Sequence, residues 1–261
     1  MIHKLKVLQI ETTNFCNSNC IFCIHSTLKK FGKMSDELFL KILNEAKEIP
    51  SIEIIVPMLL GEPFMDKKII SRLLLINRIL PGKKIALFTN CSLLTKPIIK
   101  KLLQIENLEM FFSLNGAEEA TRKKLMGLND FYHALSMIKF YESMGGKCRV
   151  QLVAHHFVSK EEKEVFKSMF INPVIISYKN WSGEKFTALP KTKCNRAIHE
   201  MTIMNDGKVN LCCMEYGKVI FGDINKSSVK EIWESKARQE YANNHFNGKY
   251  MKGVCSNCTM A

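Results

Sequence analysis

Six short apolar runs recur through the first two-thirds of the chain, with segments of helical character between them, and this alternation restricts the fold more than any other feature. The runs cover residues 5–10, 52–57, 84–88, 108–113, 148–154 and 173–178. One helix-like segment opens at Ser35, a good N-cap, with Asp36 and Glu37 placed to complement the helix dipole. Its Leu38, Phe39, Ile42, Leu43 and Ala46 fall on one stripe. Another opens at Ser159 with Glu162 three residues on, the spacing of a capping box. Such alternation demands a parallel sheet with crossover helices. Six units are too few to close an eight-stranded barrel and fit an open one, with function expected at the C-terminal ends of its strands. A doubly wound sheet is the other arrangement, but no GxGxxG turn follows the first strand.

Short motifs follow these strands. After the first comes NFCNSNCIFC, in which Cys16, Cys20 and Cys23 are spaced C-x3-C-x2-C. Soft thiolates suit iron–sulfur chemistry, and three of them hold three irons of a four-iron cluster while leaving the fourth open to a ligand. A zinc site completed by His25 is the alternative use of the same residues. The second strand leads into LLGEPFMD, where Gly61 allows close backbone approach and Glu62 can accept from an ammonium. The third ends FTNCSLLT and the fourth FFSLNG. Ser113 and Asn115 suit hydrogen bonding to vicinal hydroxyls or, equally, plain Asn-Gly turn chemistry.

These motifs, in this order, resemble the radical S-adenosylmethionine (radical SAM) superfamily. The resemblance implies an α/β fold, a partial (β/α)6 TIM-like barrel. It also implies a [4Fe–4S] cluster on Cys16, Cys20 and Cys23 whose open iron chelates the methionine moiety of S-adenosylmethionine. One electron then releases a 5′-deoxyadenosyl radical that abstracts a substrate hydrogen. Gly61, Glu62 and Pro63 resemble the GGE motif that receives the ammonium, with Leu60 in place of the first glycine. Ser113 and Asn115 resemble the ribose contacts, and Val150 or Leu152 is expected to pack on the adenine. Asn90 faces the top of the barrel, and Cys91 replaces the usual glycine of a TNG motif. Its thiol is either a hydrogen-atom donor to a substrate radical or a small buried hydrophobe. His155 and His156 take no assignment, and Lys179 near the sixth strand exit is a proton acceptor only if its pKa is lowered.

The character of the chain changes around residue 189, which divides it into a barrel over residues 1–188 and a small domain over 189–261. The second part carries Cys194, Cys212, Cys255 and Cys258 and resembles the SPASM and shortened twitch extensions of radical SAM enzymes. Four cysteines saturate one auxiliary [4Fe–4S] cluster, so twitch fits better than a full SPASM domain and the cofactors implied are S-adenosylmethionine and two [4Fe–4S] clusters. A four-cysteine zinc site is the structural alternative. Cys213 competes with Cys212, but neighbours on a strand face opposite ways, so one of the two reaches the metal.

Ten cysteines at both ends of a chain this long point to metal ligation rather than a disulfide framework. No apolar run spans a bilayer and no secretory signal is present, so a cytoplasmic enzyme without membrane association is expected. A net charge of +13 suits an anionic or nucleotide-linked small substrate, an acidic peptide or a flavodoxin- or ferredoxin-type reductant. No basic stripe interleaved with aromatics appears, so nucleic acid is not expected. The favoured reaction is oxidation of a small polyol, aminocyclitol or sugar-type substrate, as in small twitch enzymes that dehydrogenate aminocyclitols. Peptide modification by thioether formation or epimerisation, redox-neutral sugar epimerisation, and a non-enzymatic zinc-binding module are the alternatives.

Overall fold

The computed structural model describes residues 2–182, 194–250 and 254–259. Six parallel strands, β1 (Val7–Ile10), β2 (Ile54–Val56), β3 (Lys84–Thr89), β4 (Leu108–Ser113), β5 (Cys148–Ala154) and β6 (Pro173–Ser177), stand side by side in chain order. Helices α1 (Asp36–Lys47), α2 (Ile69–Ile79), α3 (Lys96–Leu102), α4 (Glu119–Met126), α5 (Phe131–Ser143) and α6 (Lys160–Met169) lie in the connections between them. This is the open barrel expected from the alternation; the doubly wound order is absent. The boundary expected after residue 188 lies outside the described residues.

Local chemistry sets these elements. Ser35 caps α1 by accepting from the Leu38 N–H at 3.1 Å, and the five residues of the expected stripe are its buried face. At α6 only half of the expected capping box forms. The Ser159 hydroxyl accepts from the Glu162 N–H at 3.0 Å. The Glu162 carboxylate instead accepts from the Ala117 N–H and the Thr121 hydroxyl, each at 2.9 Å, because the start of α4 offers nearby donors.

The tail continues the same sheet. After α7 (Asn195–His199), strand β7 (Glu200–Ile203) pairs parallel with β1, with Val7 opposite Glu200. An antiparallel hairpin, β8 (Lys208–Cys212) and β9 (Glu215–Asp223), extends the sheet, giving the order β6-β5-β4-β3-β2-β1-β7-β8-β9. Two helices follow, α8 (Val229–Glu234), with a complete capping box between Ser228 and Glu231, and α9 (Lys236–Phe246).

Period-two alternation divides each barrel strand between two environments. Leu8, Ile55, Leu87, Phe112 and Leu152 are fully buried in the core with residues of the surrounding helices. Gln9, Val56, Phe88, Ser113 and Gln151 line a cavity inside the barrel. Among the described residues no helix is long and apolar enough to cross a membrane.

Candidate active site

The loop after β1 is held on both sides. Asn14 Nδ2 donates to the Lys30 carbonyl at 3.0 Å and Asn14 Oδ1 accepts from the Gly32 N–H at 2.7 Å, which closes the loop on itself. The Asn19 and Ile21 N–H groups donate to the Met126 and Leu125 carbonyls, which anchors it to α4. Cys16, Cys20 and Cys23 then line the barrel cavity, about 570 Å³ in volume. Burial pushes the Cys16 thiol up to about 11 and the Cys20 thiol up to about 12. His25 lines the same cavity, with its Nε2 2.9 Å from the Asn14 carbonyl. Among the described residues no three His, Cys, Asp or Glu side chains converge as a single metal ion requires. Thiols that share a site without that convergence fit a polynuclear cluster, where each thiolate binds its own iron.

The loop after β2 packs against this one. A Cβ on Gly61 would stand 2.1 Å from the Thr13 carbonyl oxygen and 2.9 Å from Asn14 Cα, so only glycine permits the contact. The Glu62 N–H donates to the Phe15 carbonyl at 2.8 Å, and Pro63 starts a short 3-10 turn, Pro63–Met65. The Glu62 carboxylate accepts from the Thr89 hydroxyl (2.7 Å), the Asn90 N–H (2.8 Å) and the Phe64 N–H (3.2 Å). Burial nevertheless raises its pKa to about 7, against these hydrogen bonds. Leu60, at the missing glycine, is buried with Ile24 and Leu59.

The ends of β3, β4 and β5 complete the cavity wall. Asn90 lines it and donates from Nδ2 to Asn17 Oδ1 at 2.8 Å. Ser113 and Asn115 line it as well, with Asn115 in the left-handed region at φ 55° and its Oδ1 accepting from the Val153 N–H at 2.9 Å. The structure places two further site candidates. Leu152 and Val150 face the core, and it is their neighbour Gln151 that reaches the cavity, because strand side chains alternate. Cys91 is fully buried in the core, is not a lining residue, and has φ 70°, which accounts for a glycine-like position. The buried hydrophobe is therefore the reading that matches its surroundings.

Behind these strand ends sits Arg122 of α4, fully buried. Its Nη2 donates to the Asn90 carbonyl (2.7 Å), its Nη1 to the Ser113 (3.2 Å) and Leu114 (3.0 Å) carbonyls, and its Nε to Asp130 (2.7 Å). One guanidinium thus fixes the ends of two strands that line the cavity. The sequence reading missed it; its only signal was an arginine on a predicted helix.

Cys194, Cys212, Cys255 and Cys258 come together in a second buried cluster with Leu211, Met214 and Tyr241. Burial raises the Cys212 thiol well above its usual value. Cys213 lines the barrel cavity and also packs against this tail cluster, where Cys212 belongs. Lys179, Trp181, Arg196 and Glu200 line the cavity too. The Trp181 indole N–H donates to the Phe22 carbonyl at 2.7 Å, which ties the region after β6 to the cysteine loop. Lys179 and Trp181 follow β6, whereas Arg196 and Glu200 come from a part of the chain that only the tertiary fold brings here.

Comparison with known proteins agrees with this geometry. A model of the Radical SAM superfamily matches residues 10–169, and one of an iron-sulfur cluster-binding domain, SPASM, matches residues 194–259. A tungsten-containing aldehyde ferredoxin oxidoreductase cofactor-modifying protein of Pyrococcus furiosus is 29% identical over 112 residues, covering 42% of this chain and 31% of that protein. The match thus spans about a third of that relative's length. The crystal structure of BtrN in complex with AdoMet and 2-DOIA superimposes with a TM-score of 0.67 at 15% identity, over 99% of this chain and 94% of that one. Streptococcus suis SuiB bound to its precursor peptide SuiA gives 0.76 at 15% identity, over 91% and 66%. At such identities the structures establish the shared fold.

Proposed function

The chain belongs to the Radical SAM superfamily, with a SPASM domain, and we propose that it takes a hydrogen atom from a hydroxyl-bearing carbon of a small polyol, aminocyclitol or sugar-type substrate. Its cofactors are S-adenosylmethionine and [4Fe–4S] clusters. When bound, they supply the 5′-deoxyadenosyl radical that makes the abstraction. In this reading Cys16, Cys20 and Cys23 hold the cluster that faces the cavity. Gly61, Glu62 and Pro63 form the shelf for the methionine end, and Ser113, Asn115 and Gln151 take the ribose and adenine end. Arg122 keeps the strand ends in register, and Trp181 helps to close the cavity against water.

The observation that carries oxidation is the second thiol cluster of Cys194, Cys212, Cys255 and Cys258, one residue along the chain from the cavity wall at Cys213. These four thiolates would hold a fully ligated cluster, which would supply a one-electron acceptor for a substrate radical. Lys179, a cavity residue, suits an anionic group on the substrate. A second fate for the substrate radical, hydrogen return without net oxidation, is favoured by the thiol of Cys213 in the same cavity. Peptide modification is supported by the likeness to SuiB and shares the abstraction step.

Incubation of the reduced holoenzyme with S-adenosylmethionine and a panel of polyols, aminocyclitols, sugar phosphates and short peptides tests the proposal. Stoichiometric 5′-deoxyadenosine with a product two hydrogens lighter supports oxidation. Turnover only with peptides would overturn the small-molecule assignment.

A further inference from the structure

The geometry points to Cys213 as a hydrogen-atom donor to carbon radicals formed in the barrel cavity. The inference rests on the radical reading of that cavity and deepens its second outcome, hydrogen return, by assigning that step to one residue of this chain.

Four of the ten cysteines line the cavity, and three of these, Cys16, Cys20 and Cys23, are the proposed cluster ligands. Cys213 is the fourth. Cys91 and Cys148 are buried in the core, and Cys212 belongs to the tail cluster. Cys213 packs on the apolar patch of Ile24, Leu59 and Leu60, against which Cys23 of the proposed cluster ligands also packs. Arg196 Nη1 donates to its Sγ at 2.9 Å and to both carboxylate oxygens of Glu200 at 3.0 and 3.3 Å. The sulfur is therefore held in place at the cavity wall and remains only partly buried.

A thiol S–H bond is weaker than most C–H bonds, so transfer to a carbon radical is downhill. The S–H bond breaks homolytically, a C–H bond forms at the former radical centre, and a thiyl radical stays on Cys213. One electron from a low-potential iron–sulfur donor and one proton from water then restore the thiol. Hydrogen delivered to the face opposite the abstraction inverts the carbon and leaves the substrate's oxidation level unchanged.

The test uses reconstituted holoenzyme prepared without added thiols. Cys213→Ser should retain the full iron content, about eight per chain. Loss of about four irons on its replacement would make it a ligand and overturn the proposal. Dithionite-driven cleavage of S-adenosylmethionine in D2O without substrate gives the chemical readout. Wild type should place solvent deuterium in 5′-deoxyadenosine, Cys213→Ser should lose it, and Cys91→Ala should keep it. Equal deuterium in wild type and Cys213→Ser, or none in either, would refute the donor role. Absence of 5′-deoxyadenosine from the wild type would instead defeat the radical reading itself.

Discussion

Replacing Arg122 by methionine removes a charge that the fold has enclosed completely. Arg122 is fully buried, its partner Asp130 is 22% exposed at the side chain, and the guanidinium also serves the carbonyls of Asn90, Ser113 and Leu114. Breaking a buried ion pair costs about 3–5 kcal/mol, with the lower end appropriate where one partner keeps access to water. Each buried carbonyl left without a donor adds about 1–3 kcal/mol, although local relaxation recovers part of this. A net loss of roughly 3–6 kcal/mol is expected, which at about 2–4 °C per kcal/mol lowers the melting temperature by roughly 6–24 °C. Because the affected strand ends carry Asn90, Ser113 and Asn115, S-adenosylmethionine binding should weaken by about 10–100-fold where the fold survives. Arg122→Lys should rescue little, since an ammonium cannot span three carbonyls and a carboxylate in a planar fork. Anaerobic thermal unfolding and equilibrium binding measure both effects. A melting temperature within about 2 °C of wild type would refute the assignment of Arg122 as the tie between β3 and β4.

Gly61→Ala should cost about 1–3 kcal/mol and impair cofactor binding, because the new methyl meets backbone of the cysteine loop; unchanged denaturation midpoint and affinity would contradict it. Leu152→Ala should destabilise by about 2–5 kcal/mol, whereas Gln151→Ala should weaken S-adenosylmethionine binding with little loss of stability. The reverse pattern would mean that β5 presents its other face to the cavity. Glu11 is fully buried and accepts from the Tyr216 hydroxyl at 2.9 Å. Burial raises its pKa to about 7, against the hydrogen bonds from Tyr216, Asn205 and Leu60. The folded protein therefore holds this proton more tightly than the unfolded chain. Its stabilising effect is complete below pH 4.5 and is lost as pH rises to about 7, a change of about 3 kcal/mol. Urea titrations at pH 5 and 8 should show this slope flattened in Glu11→Gln; an identical slope would remove Glu11 as its source.

The elements were legible because hydrophobic period and caps act locally. Strands β4 and β5 match their expected bounds, and the stripe of α1 is its buried face. The first group of thiols was legible because Cys16, Cys20 and Cys23 lie close together along the chain. What escaped depends on which way a strand faces and on what distant segments bring. Val150 or Leu152 is the expectation from sequence because an apolar residue suits a base-stacking position, but sheet register, set by pairing of β5 with β4 and β6, decides the face. Arg196, Glu200 and Cys213 reach the cavity only because β7 adds to β1 and the hairpin follows it, a pairing between segments about 190 residues apart. Ser159 and Glu162 show the same limit on a smaller scale, since the glutamate found better donors on α4.

The two-site account is tested most directly by the iron content of the anaerobically reconstituted protein, measured for wild type and for a variant in which Cys194 and Cys212 are both alanine. Wild type should bind about eight irons per chain, and the variant about four while still cleaving S-adenosylmethionine reductively. Zinc in place of iron, or a variant that loses all its iron together with cleavage, would contradict it.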